Sequence, residues 1–560
     1  MQEADNPNFR ILKAKYFLVL LLVFLLKNSF SQDVFQHVSN TAIYDFMDEL
    51  ANQKVISINS AIKPYSRKFI AEKLVEAEKS ITSLTKRQKE DLAFFKRDYF
   101  KELPGNENIY YFGKGLFNKE NREKDRKNRR LDLFFSKDSL FTITINPIVG
   151  FQYFTNEKEH VYHRWNGAEA NAYIGKNFGF YASLRDNYES TALSTPDYLV
   201  QSTGAGFKGS VKGGVEYSEM RGGVTYSNKW ASIGVIKDHF VWGNNYNGSN
   251  IFSGKTPSFA QVYIKIHPVK WFEFNYVHGW LSSEVVDSAN SYTIPSGTRL
   301  VYQEKHLSAN MFTFIPFKKF NISLGNSIIY SNMGSNPAYY MPVFFYKSLD
   351  HTYVTSNFGG SNAQMFFDVS SRQIKNVHIY ASVFIDELNI SNMWDAAKQS
   401  NFFSGKFGFR FSKIPNVSII GEYTRTNPIA YKHFIPTTTF ESNNYNLGHY
   451  LRDNSVEYYV CARIKPIRKL MIDLSYTESM RGKDYSYTGI NYSGLGDPFI
   501  DSVAWKNKSV NLKFRYELFN DAYITFEYCN SLTTGEIVKY TPLLYRGNRN
   551  TLSFGFNYGF

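Results

Sequence analysis

Cysteine is nearly absent: Cys461 and Cys529 are the only two in 560 residues, and no Cys-x-x-Cys occurs. That excludes a disulfide framework and a thiolate zinc site. Long apolar runs are missing as well. The one continuous run, Tyr16 to Leu26, is too short to cross a bilayer as a helix, and a mean hydropathy of −0.36 is too polar for a bundle of membrane helices. Catalytic signatures are also lacking. There is no Gly-x-Ser-x-Gly or His-Glu-x-x-His, and the 11 histidines show no metal-ligand pairing four residues apart. Asp238-His239 and Asp350-His351 are adjacent pairs, but neighbours on a strand point to opposite faces and cannot make the His–carboxylate bond of a triad with each other. The expectation is a protein without catalysis, cofactor or metal.

The first residues give an address. Arg10, Lys13 and Lys15 precede the apolar run, and Ser29-Phe30-Ser31 follow it before Gln32. Positive charge, a short apolar core and small residues before the cut predict a cleaved signal peptide over 1–31 rather than a retained anchor. No cysteine follows to carry a lipid. Export makes nucleic acid a poor partner for the net charge, which is +14 and falls to +12 when 1–31, with four Lys/Arg and two Asp/Glu, are removed. Much of the excess lies between Lys114 and Arg130, in a basic linker, 106–139, that is either solvated or set against anionic lipid head groups.

Residues 32–105 read as helical. Ile43, Met47 and Leu50 recur at helical spacing, and Ser66 can cap a segment through Phe69, Ile70 and Leu74. Thr85-x-x-Gln88 forms a capping box ahead of Leu92, Phe95 and Tyr99, and Pro104-Gly105 ends the last helix. A three-helix periplasmic domain follows.

From Leu140 to Phe560 the period becomes two, in segments of about ten residues, the length a tilted strand needs to cross a bilayer. Val377, Ile379, Ala381, Val383 and Ile385 alternate with His378, Tyr380, Ser382 and Asp386. The apolar set belongs against lipid and the polar set against a wet or plugged interior. Connections alternate between short and long. Eight short turns, among them Gly175-Lys176-Asn177, Arg372 to Asn376 and Lys413-Ile414-Pro415-Asn416, separate nine longer segments rich in Gly, Ser, Asn and Pro. This predicts an 18-stranded antiparallel transmembrane β-barrel, mainly β, with its C-terminus on the side of the short turns. A soluble sandwich or propeller also alternates, but does not predict the short/long asymmetry. Nor does it predict the final row of Leu552, Phe554, Phe556, Tyr558 and Phe560, whose last four members resemble the terminal signal read by barrel-assembly machinery. The expected location is the Gram-negative outer membrane, among its lipid and lipopolysaccharide.

Three long loops carry more than solvation requires. The first contains Trp242, Tyr246 and Asn247, and the third contains Tyr445, His449 and Asp453. Rings beside amides and carboxylates suit sugars, whose C–H faces pack on aromatics while hydroxyls take directed hydrogen bonds. These six are the candidate glycan contacts at the rim, and an inward plug is the equal alternative. The second loop, Asn336 to Tyr346, is so apolar that exposure to water would be costly, and it is expected to fold inward as a plug.

The sequence resembles the Wzi capsule-assembly family. Tyr44 to Ile56 looks like that family's opening helix, Ile62 to Leu74 like its Pro-x-Ser approach to the second helix, and Trp242-Gly243 with Gly248-Ser249 and Pro257-Ser258-Phe259 like its Trp-Gly-x-Gly strand exit. The resemblance implies a helical bundle joined to an eighteen-stranded barrel that binds and organises exported capsular polysaccharide, without bond-making chemistry. The basic segment before the barrel is extra. A porin or ligand-specific channel, or another envelope-assembly role, is the alternative.

Overall fold

Alternation from Phe141 onward yields eighteen antiparallel strands that close on themselves, the last pairing with the first. The computed structural model describes residues 32–103, 109–112, 132–196, 199–295, 297–331, 336–353, 360–388, 390–392, 401–487 and 497–559. The expected signal peptide, the basic run 114–130 and residue 560 lie outside them. The strands are β1 (Phe141–Thr155), β2 (His160–Ile174), β3 (Phe178–Ser190), β4 (Gly214–Ser227), β5 (Ala231–Asp238) and β6 (Phe259–Val269). They continue with β7 (Phe272–Leu281), β8 (Lys305–Phe317), β9 (Phe320–Tyr330), β10 (Asn362–Ser371), β11 (Val377–Glu387) and β12 (Phe402–Phe411). The last six are β13 (Val417–Thr426), β14 (Ser455–Ile467), β15 (Leu470–Gly482), β16 (Val503–Phe519), β17 (Ala522–Gly535) and β18 (Asn548–Tyr558). All eight expected short turns fall between strands at one end of the barrel.

The outward face is the apolar one. Ile472, Phe514, Phe526 and Phe554 lie in register as one outward row, with Leu474, Leu512, Tyr528 and Leu552 in the next row toward the long loops. Beyond these the outward side chains turn polar, where Glu478 bridges Lys506 at 2.7 Å and Lys508 at 3.5 Å. Such a band bounded by charge is what a bilayer selects. Among the described residues no helix is long and apolar enough to cross a membrane.

Closure is offset. Tyr558 pairs with Val149, so β18 stops alongside the middle of β1. The exposed edge below is taken by Phe134–Lys137, paired with Thr142 to Ile145, and Ile109–Phe112 pairs with that segment in turn. Part of the stretch expected to be linker is therefore strand, because an unpaired edge of β1 needs hydrogen-bond partners.

Three helices, α1 (Thr41–Asn52), α2 (Arg67–Glu78) and α3 (Lys86–Tyr99), form as local signals require. The Ser66 hydroxyl accepts the Phe69 amide, and Thr85 and Gln88 make a reciprocal capping box. Their shared core of Ile43, Met47, Leu50, Ile70, Leu74 and Leu92 is closed to solvent. This unit sits across the short-turn end. Arg372 donates to Asp48 at 2.7 Å and Asn52 at 2.8 Å, and the Asn376 amide donates to the Asn52 carbonyl at 2.6 Å. The preceding segment runs up the inner wall, with the Phe35 ring edge-on to Tyr181 and Tyr263.

Candidate functional site

The lumen is filled from both ends. From the helical unit, residues 55–65 rise into the barrel, where Ile62 pairs with Trp242 of the β5–β6 loop. That loop descends to meet them, turning at Gly243, whose φ of +94° no Cβ-bearing residue adopts comfortably. A Cβ there would also lie 2.8 Å from the Ser249 hydroxyl. The Trp242 ring is buried among Phe240, Phe252 and Phe366.

Below the turn the loop is held by wall carboxylates. Glu422 on β13 accepts the backbone amides of Tyr246 at 2.6 Å and Asn247 at 3.0 Å, together with the Tyr380 hydroxyl and the Lys406 ammonium, the latter at 2.8 Å. The Tyr246 hydroxyl lies 2.9 Å from His378 Nδ1, and Asn247 Nδ2 donates to Glu457 on β14 at 2.9 Å. Glu457 also faces His449 Nε2 at 3.3 Å and accepts the Tyr450 hydroxyl. The β13–β14 loop thus closes over the β5–β6 loop, and Tyr431 donates its hydroxyl to the Asn250 carbonyl at 2.7 Å. Asp453 accepts the Tyr431 amide at 2.7 Å; burial pushes its carboxyl up despite nearby Lys432.

None of the six candidate contacts lies exposed at the rim. Trp242, Tyr445, His449 and Asp453 are buried, and Tyr246 and Asn247 are half-buried inside the barrel. The polar groups of Tyr246, Asn247, His449 and Asp453 hold the plug together while Trp242 and Tyr445 are buried within it, and the rim placement is corrected accordingly. The second loop departs further from expectation. It does not enter the lumen but lies on the outer wall, with Tyr339 and Tyr346 buried against outward-facing Phe274, Tyr276, Ile328 and Tyr330. The outward residues of β8 and β9 include Asn310 and Asn326, and these polar groups hold the loop's backbone. Phe554 and Phe556 of the terminal row do face outward and are exposed.

A different group of residues lines the open space. β5 is short and pairs with β4 only over Gly222 to Ser227; β4 residues 214–216 pair instead with Gly209–Val211. Residues 217–221 have no strand on that side among the described residues. At this notch runs a cleft of about 750 Å³. Arg185, Asn187, Tyr217 and Glu219 line it from the inner face and Arg164, Asp186, Tyr188 and Glu216 from the outer. Arg185 pairs with Glu219 at 3.4 Å, and the Tyr217 hydroxyl donates to Glu189 at 2.6 Å. Phe207 stands over the cleft 79% exposed. With Arg164, Arg185 and Lys237 against Asp186, Glu216 and Glu219, the lining is electrically balanced. A legible signal existed. Leu184 to Glu189 and Tyr217 to Glu219 carry polar side chains at both parities, which a strand facing lipid does not tolerate.

Deeper in, His37 Nε2 and His239 Nδ1 lie 3.2 Å apart beside Asp238. Asp238 is already bound by Arg221 at 3.3 Å and by the Tyr181 hydroxyl at 2.8 Å, so its charge is compensated. The contact between the two imidazoles fastens the N-terminal segment to the wall, and His239 Nε2 faces Glu219 at 3.8 Å.

A closed barrel of eighteen strands with an apolar outer band and a filled lumen defines the class: an outer-membrane β-barrel. Among solved structures the chain is similar to Wzi of Escherichia coli, an outer-membrane protein involved in group 1 capsule assembly and a carbohydrate-binding β-barrel. The TM-score is 0.53 at 12% identity, over 95% of this chain and 100% of that one. It is more distantly similar to OccD3 of Pseudomonas aeruginosa, with TM-score 0.41 and 11% identity over 75% of this chain and 90% of that one. OccAB2 of Acinetobacter baumannii gives 0.43 and 7% over 74% and 97%. No protein-family model and no curated protein matches the sequence.

Proposed function

We propose that the protein is a non-enzymatic, plugged outer-membrane barrel that holds exported capsular or related surface polysaccharide, with its long loops outside the cell and its helical domain in the periplasm. The observation that carries this reading is the cleft at the β4 notch. Phe207 offers an exposed ring and Tyr217 an aromatic wall beside it, while Arg185, Asn187 and Glu219 on the same inner face offer directed donors and acceptors, the combination that sugar rings require. The shared fold with a carbohydrate-binding barrel supports it. The filled lumen weighs against steady solute conduction.

Deletion of the gene followed by staining for surface polysaccharide tests the cellular role; loss of retained polymer is expected, and unchanged retention overturns it. Binding of polysaccharide from the producing strain to purified protein tests the site. Tyr217→Ala and Arg185→Ala should weaken binding while the barrel stays folded, and unaltered affinity would remove the cleft from the proposal.

A further inference from the structure

The apolar loop between β9 and β10 covers a part of the barrel wall that should be greasy and is not. On β7, β8 and β9 the outward residues nearest the short turns are Phe272, Phe314 and Ile322, then Phe274, Phe312 and Leu324, matching the lipid-facing band elsewhere. The next outward row holds Asn310 and Asn326, followed by Ser308. Bare polar side chains at that depth would face hydrocarbon without partners.

The loop satisfies them and is satisfied in return. Asn310 Nδ2 donates to the carbonyls of Pro342 at 2.8 Å and Phe344 at 2.9 Å. Asn326 accepts the Tyr346 amide at 2.8 Å and donates to Asn310 at 2.7 Å, and the Ser308 hydroxyl donates to the Tyr339 carbonyl at 2.7 Å. Asn310 and Ser308 are wholly buried by this contact. Irregular backbone at membrane depth is tolerated only where protein groups pair its amides and carbonyls. The wall supplies that pairing for the carbonyls of Tyr339, Pro342 and Phe344 and for the amide of Tyr346.

Among the described residues nothing covers the other side of the loop. From Tyr339 to Tyr346 there is no charged residue, and Val343 is 64%, Phe345 53% and Met341 45% exposed. Such a patch in water is unfavourable. It is continuous with the apolar band below it. The polar boundary comes just after, where helix α4 (Tyr346–Tyr353) begins and Lys347 reaches the Asp386 carbonyl at 2.9 Å and Glu387 at 3.4 Å.

We infer that residues 339–346 form a flap seated on the outer wall by Asn310 and Asn326, with its free face inserted among the acyl chains of the outer leaflet. The loop thereby completes the hydrophobic belt where the strands leave it polar.

The test uses Val343→Cys, and separately Phe345→Cys, in the full chain with Cys461→Ala and Cys529→Ala, each labelled with an environment-sensitive fluorophore and reconstituted in phosphatidylcholine vesicles. Resistance to SDS until boiling shows that the barrel has folded. Ile294→Cys, on another long loop, is the comparator. Blue-shifted emission, quenched more by nitroxides on the acyl chains than by aqueous iodide, is expected at 343 and 345, with the reverse order at 294. Water-like emission at both flap positions overturns the inference. Blue-shifted emission that chain-bound nitroxides do not quench also overturns it, because the cover is then another protein surface.

Discussion

Asp45 on α1 and Arg410 on β12, far apart in the chain, form a buried ion pair 2.8 Å long at the short-turn mouth. Asp45 also receives Arg463 at 2.8 Å and contacts Lys465, so one carboxylate ties the helical unit to two barrel strands. Removing one partner of a buried pair leaves the other uncompensated, which costs about 3–5 kcal/mol. Asp45→Ala should therefore release the helical unit while leaving the barrel intact. Limited proteolysis should show the unit cut from an SDS-resistant barrel core; a resistant unit would mean that the Arg372 contacts to Asp48 and Asn52 and the pairing of Ile62 with Trp242 hold it without Asp45.

The same latch has a defined pH dependence. Burial alone would raise the Asp45 pKa, but Arg410, Lys465 and Arg463 together outweigh it and hold the carboxyl well below the usual range. Glu49 is likewise lowered, by Lys465 and Arg87 acting against burial. A depressed carboxylate contributes stability above its unfolded pKa and loses it as pH falls through the folded one. Asp91 behaves oppositely: burial pushes it up to about 6, so its protonation on acidification relieves a cost. Docking of the helical unit should hold from neutrality down to the ordinary carboxylate range and fail only below it. Protease protection measured across pH would contradict this if release began between about pH 5 and 6, where the unfolded carboxylates are still ionised.

Glu422 anchors the plug through two loop amides and Lys406, both charges being almost wholly buried. Glu422→Ala should strand the Lys406 charge and free the loop, lowering the unfolding temperature. In planar bilayers the unaltered protein should carry no steady current, and the variant should show flickering openings. Steady conductance from the unaltered protein would instead favour a channel.

Cys461 and Cys529 occupy one register row, through Ser475 and Asn511, and are separated by three strand spacings, about 14 Å at ~4.8 Å each. They cannot form a disulfide without breaking the wall. Cys461 is fully buried, so maleimide should leave it unmodified in the folded barrel and label it after denaturation. A non-reducing mobility shift would contradict the register.

Features fixed within a few residues were legible in the chain. The Ser66 and Thr85 caps lie where expected because their partners are three residues away. Short turns were legible because Asn376 and Asn416 supply the positive φ such turns need. The candidate contacts were chosen for suitable chemistry, yet Tyr246 and Asn247 answer to Glu422 and Glu457, more than 170 residues on, and no local pattern reveals that.

The sequence by itself determined the closed barrel, its strand number and its lipid face, since period-two alternation and turn residues act locally and repeat along the chain. Only the tertiary structure decided where each long loop goes. Two loops turn inward because buried carboxylates wait on the lumen wall. The apolar one lies outside because Asn310 and Asn326 offer its backbone hydrogen bonds there. The cleft exists because β5 is too short to cover the edge of β4. Each outcome depends on groups brought together by barrel closure, which hydrophobicity along the chain does not encode.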